Sequence, residues 1–109
     1  MATTYKVLGQ SAPSATTNTT LYTVPSATST VVSTITVCNR SAVAVTYRIA
    51  IRPAGASIAN QHYIAYDVTL AASDTTALTL GVSLATTDVV TVYASTANLT
   101  FNIFGSEIV

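Results

Sequence analysis

Apolar and polar residues alternate with a period of two along most of this chain, and that alternation predicts strands rather than helices. Residues 3–10 form the first candidate and stop before Ser11-Ala12-Pro13-Ser14; residues 18–24 form the second and stop at Pro25, which has no N–H for a ladder. Residues 28–39 are the clearest run, with Val31, Ser33, Ile35 and Val37 on one face and Val32, Thr34, Thr36 and Cys38 on the other. Asn39-Arg40-Ser41 then turns the chain, Asn by tolerating left-handed backbone and Ser by bonding its own loop. In residues 43–52, Val43, Val45, Tyr47, Ile49 and Ile51 share one face, while Arg48 and Arg52 share the other with Thr46 and Ala50. Residues 28–52 therefore read either as a hairpin or as a pair crossing between sheets, ended by Pro53-Ala54-Gly55-Ala56.

Four further candidates follow. Residues 60–70 come first, then 75–82 with Leu78 and Leu80 aligned. Residues 86–95 set Val90 and Val92 against Val89, Thr91 and Tyr93; residues 98–109 turn Leu99, Phe101 and Ile103 inward, with Gly105 marking a bulge or bend. A helical reading survives only at 56–65. About eight evenly spaced strands joined by short turns predict an all-β fold, one antiparallel β-sandwich of jelly-roll type. A length of 109 residues has room for a single domain, 1–109.

Composition sharpens this picture. Only 7% of residues are charged, against about 25% in an average soluble domain. Some strands are apolar on both faces, as at Tyr63-Ile64-Ala65-Tyr66 and Val89-Val90, and one small sandwich cannot enclose both sides. With few charges to guard strand edges, the spare faces predict contact with neighbouring molecules and self-association. Zero formal net charge gives nucleic acid no electrostatic handle. Uncharged stretches such as 89–106 alternate instead of staying apolar, so no bilayer span is predicted. The first residues lack the basic start and apolar run of a secretory signal, which predicts folding in a cytosol.

Candidate chemistry is sparse. One cysteine excludes an intrachain disulfide, and one histidine leaves no metal cluster to assemble, so no metal or cofactor is expected. His62 has no orienting carboxylate on its own strand face, because Asp67 lies five residues on, and reads as a loop-end or interface histidine. Asp67, Asp74 and Asp88 each adjoin turn-like residues and read as turn caps rather than paired catalytic acids. Cys38 reads as a small apolar filler. The sequons at Asn18, Asn39 and Asn98 are chance products of a Thr-rich chain, and the glycines form no phosphate-binding spacing. No acid, base and nucleophile combine, so the chain is not read as an enzyme. Tyr63, Tyr66, Tyr93, Arg48 and Arg52 are the candidate interface residues, since Tyr and Arg are favoured anchors. The two arginines suit either a neighbouring subunit's carboxylates or an intrachain pair.

Several segments together carry a family resemblance: Tyr5-Lys6-Val7-Leu8-Gly9-Gln10-Ser11-Ala12-Pro13, Leu21-Tyr22-Thr23-Val24-Pro25, and Val31-Val32-Ser33-Thr34-Ile35-Thr36-Val37-Cys38-Asn39-Arg40. Asn60-Gln61-His62-Tyr63, Asp88-Val89-Val90-Thr91-Val92-Tyr93-Ala94-Ser95 and Phe104-Gly105-Ser106-Glu107-Ile108 extend it over nearly the whole chain. With these segments the chain resembles small virion structural proteins of tailed bacteriophages, those infecting cyanobacteria above all. The resemblance implies a place in the particle, on the capsid surface or tail, after synthesis in the bacterial host's cytoplasm, with no catalytic residues to carry over. It implies a cement or decoration protein that clamps major capsid protein subunits from outside, commonly as a homotrimer. The same domain is similar to modules of tail fibres and baseplates, whose partners are tail proteins and, in some cases, host-surface glycans. A stand-alone carbohydrate-binding module is the competing class, weakened by the lack of Trp.

Overall fold

Alternation of this kind gives each sheet one apolar face, and two such faces closed on each other make a core. A computed structural model, which describes residues 2–109, shows nine strands: β1 (Thr3–Ser11), β2 (Thr19–Thr23), β3 (Ser29–Asn39), β4 (Val45–Arg52), β5 (Tyr63–Leu70), β6 (Thr75–Leu78), β7 (Val82–Leu84), β8 (Val89–Ala94) and β9 (Leu99–Ile108). One sheet runs β1-β9-β3-β6, with β7 continuing the β6 edge against β3; the other runs β2-β8-β4-β5. With β6 and β7 taken as one interrupted strand, the chain crosses between sheets at every step except β4 to β5, which is the jelly-roll winding. Of the two readings of residues 28–52, the crossing between sheets is therefore the one realised.

The core lies between the sheets. Ile35 and Val37 from β3, Ile49 from β4, Val90 and Val92 from β8, and Leu99, Phe101 and Ile103 from β9 are at most 1% exposed. Each contributes about 1.5–3 kcal/mol relative to an exposed side chain. The Tyr47 ring meets Phe101 edge-on, at 6.4 Å and 73°.

Bulges decide which residues face in. β9 alternates without interruption, but both its neighbours carry an extra residue at adjacent levels, on either side of Phe104. On β1 the extra residue is Leu8, between Val7↔Phe104 and Gly9↔Ile103; on β3 it is Ser33, between Val32↔Gly105 and Thr34↔Phe104. Because one extra residue exchanges the two faces, Thr30 and Val32 point inward before Ser33, and Ile35, Val37 and Asn39 after it. The expected alignment of Val31 and Ser33 with Ile35 and Val37 is thus corrected. The irregularity expected at Gly105 falls on its partner strand: a Cβ on Gly105 would lie 2.1 Å from the Val31 carbonyl oxygen, so only glycine lets β3 approach.

Two other departures have local causes. The run 75–82 divides after Leu78, where Gly81 takes φ 65° and Leu80 becomes 55% exposed. The ambiguous stretch 56–65 holds only a single 3₁₀ turn, Asn60–His62, ahead of β5; a second, Pro53–Gly55, closes β4. At the β3–β4 crossing, Asn39 turns the chain through its side chain, not a left-handed backbone. Its buried amide donates to the carbonyls of Val43, Leu70 and Ala71, while its own carbonyl accepts from the N–H and hydroxyl of Ser41.

Candidate functional site

Arg48 sits in the middle of β4 and, by alternation, projects from the outer face of the β2-β8-β4-β5 sheet. Directly opposite it on β8 is Tyr93. On its other side β5 pairs irregularly, with Val68, Ala65 and Tyr63 meeting Tyr47, Ile49 and Ala50 in turn. The irregularity includes Asp67 at φ 48°, a left-handed conformation that Asp tolerates better than most side chains.

This local bend delivers Tyr66 and Asp67 to Arg48. The guanidinium donates from Nε to Asp67 Oδ1 at 2.6 Å and from Nη2 to Oδ2 at 3.3 Å. Its carbon lies 4.3 Å from the Tyr66 ring centroid and 4.2 Å from that of Tyr93. Tyr63 then meets Tyr66 edge-on at 4.8 Å and 82°. Donation to the Asp67 carboxylate raises the Arg48 pKa still further above its ordinary range. Each stacked face contributes about 0.5–1 kcal/mol at an exposed site, so the cluster holds its shape more than it stabilises the fold.

Four of the five candidate interface residues therefore converge: Arg48, Tyr63, Tyr66 and Tyr93. Arg52 stands apart, across from Val89, with its Nε buried and without a hydrogen-bond partner. Of the two readings of the arginines, the intrachain pair is the one Arg48 adopts. Asp67 is its partner rather than a turn cap, a role hidden in the sequence because bulges in β5 set its direction. Asp88 does cap turns, accepting from the Ala54 and Ala85 N–H groups, and Asp74 accepts from Thr75 N–H. His62 Nδ1 accepts from the Ala59 N–H at the end of its loop.

Part of this outer face is covered by the chain itself. The two 3₁₀ turns lie against β8 and β4, and Val89 and Thr91, outward on β8, are buried. Beside the cluster, Asn60, Tyr63 and Tyr66 line an open depression of about 540 Å³. The opposite sheet has a second apolar area. Tyr5 is 84% exposed, with Val7 at 48% and Val31 at 38%, and the three line a groove with Phe104. Aligning Val31 with Ile35 and Val37 on one face hid this groove in the sequence.

Comparison with family models, with curated proteins and with solved structures finds no match to the chain. What the fold defines is a class: an antiparallel β-sandwich wound as a jelly roll, with aromatic groups on both outer faces.

Proposed function

We propose that this protein is a structural component of a tailed-phage virion, a cement or decoration protein that clamps neighbouring capsid subunits. The observation that carries this reading is the placement of exposed apolar and aromatic groups on both outer faces: Tyr5 and Val7 on one, Ile64 and Tyr66 on the other. Such a clamp works by mass action: it binds the assembled lattice and not the dissociated subunits, and repetition around a shell adds avidity. Jelly rolls occur in capsid proteins and also in lectins and cupins, so the winding accords with the proposal without selecting it.

The test is immunogold labelling of density-purified particles from a phage that encodes the chain. Label on heads, with heads lacking the chain losing heat resistance, is the expected result. Particles free of the chain overturn it.

The depression lined by Asn60, Tyr63 and Tyr66 favours a second reading, a tail-fibre or baseplate module that holds a host-surface glycan. Tyrosine rings stack on sugar C–H faces, and an amide pairs with two hydroxyls. Label confined to tails, together with glycan-array binding that Tyr66→Ala removes, is its signature.

A further inference from the structure

A sheet edge is a row of unpaired N–H and C=O groups, and proteins that stay monomeric interrupt, bend or charge it. The four edges here are treated unequally. β5 is bulged and carries Asp67 at positive φ; the β6/β7 edge breaks around Gly81; β2 spans only Thr19–Thr23, is bulged between Thr20 and Tyr22, and is followed by Pro25. β1 differs. From Thr3 to Val7 it pairs with β9 in unbroken register, and all five residues are exposed.

Its one charge does not guard it. A lysine on an edge strand normally repels a second strand, but Lys6 Nζ is bound to Glu107 at 2.9 Å and so is neutralised. The pattern of free groups is also defined. Ala2 and Val109 exchange both backbone bonds, which places Ala2, Thr4 and Lys6 toward β9. The N–H and C=O of Thr3, Tyr5 and Val7 therefore point away from the sheet.

We infer that Thr3–Val7 is a self-pairing edge, whose occupant is the same segment of a second copy, antiparallel across a dyad at Tyr5. A dyad there makes Tyr5 bond its own counterpart and makes Thr3 bond Val7 of the other copy, so every free group in the segment is satisfied. Thr4 faces Lys6 of the other copy, so no like charges lie opposite. The side chains of Tyr5 and Val7 stay on the outer face, and the two grooves they line with Val31 and Phe104 merge into one apolar strip. Two sheets become one, and the assembly closes as a dimer. This stands apart from the virion reading, and it differs from the trimer that the family resemblance implies.

Sedimentation of the purified chain is expected to show a dimer. In a Cys38→Ser background, Tyr5→Cys is expected to form a disulfide-linked dimer under mild oxidation, while Thr20→Cys on the β2 edge stays monomeric. Tyr5→Lys places two cations opposite each other and is expected to weaken dimerisation at least tenfold while leaving thermal unfolding of the monomer in place. A chain that is monomeric at high concentration, a trimer, or cross-linking as efficient from Thr20→Cys as from Tyr5→Cys overturns the assignment.

Discussion

The Tyr22 hydroxyl, carried by one sheet, donates to Glu107 of the other at 2.6 Å, joining the layers by a polar bond at the margin of an apolar core. Thr30 lies 2.7 Å from the same hydroxyl, and Lys6 holds the second carboxylate oxygen at 2.9 Å. The hydrogen bond from Tyr22, then that from Lys6, keeps the Glu107 carboxyl below its ordinary value. Burial, reinforced by Glu107, pushes Tyr22 up to about 12.

Both shifts make stability depend on pH, with opposite signs. Glu107 is depressed in the folded state, so its contribution is present above the ordinary carboxyl value of 4.5 and is lost as pH falls through the folded value. Tyr22 is raised, so its contribution is complete below 10 and is lost as pH rises toward 12. Thermal unfolding followed from pH 2 to 12 is expected to plateau between these limits. Glu107→Gln should flatten the acid limb, and Tyr22→Phe the alkaline one.

Gly105→Ala is expected to destabilise the fold by about 3 kcal/mol or more, because the new methyl would enter the Val31 carbonyl and force β3 away from β9. Gly81→Ala has open space around it and fails only through its positive φ, so its loss should stay near 1 kcal/mol, in the range of roughly 1–2 for a left-handed residue. Urea denaturation of both variants separates collision from backbone strain.

Thr87→Gly is expected to stabilise. In the turn 85–88, Asp88 N–H bonds the Ala85 carbonyl and Thr87 adopts φ 69°, the position that a type II turn reserves for glycine. A β-branched residue there is strained, and relief by glycine outweighs the lost chain stiffness, for a net gain of about 0.5–1 kcal/mol. A raised melting temperature is the readout; an unchanged or lowered one counts against the strain.

Arg48→Lys should keep the charge and lose the rest. A lysine ammonium cannot bond both Asp67 oxygens as a fork or lie flat between Tyr66 and Tyr93. We expect a loss of about 1 kcal/mol in denaturant, and a coupling to Asp67→Asn in a double-mutant cycle of about 0.2–1 kcal/mol, the range of exposed pairs. The tyrosine side chains should show the larger response, as their NMR shifts lose the influence of a stacked cation.

Period-two alternation made most strands legible, because each strand buries one face. It also made Val31 illegible: the single extra residue Ser33 exchanges faces within β3, and no side chain in that stretch announces it. Residue preference nominated Arg48, Tyr66 and Tyr93 as interface anchors but not their convergence, since Tyr66 and Asp67 reach Arg48 only through bulges in β5. Asn39 was legible as a turn residue. Its grip on the Leu70 and Ala71 carbonyls depends on a partner loop more than thirty positions away, beyond any local pattern.

The mutual bonding of Ala2 and Val109 fixes how this body carries load. Anything tethered through both positions pulls at one point, on the first rung of an antiparallel ladder. Force applied there opens the rungs singly, like a zipper, instead of shearing many together. A pull between these two positions therefore meets one pair of hydrogen bonds at a time, however large the core behind them.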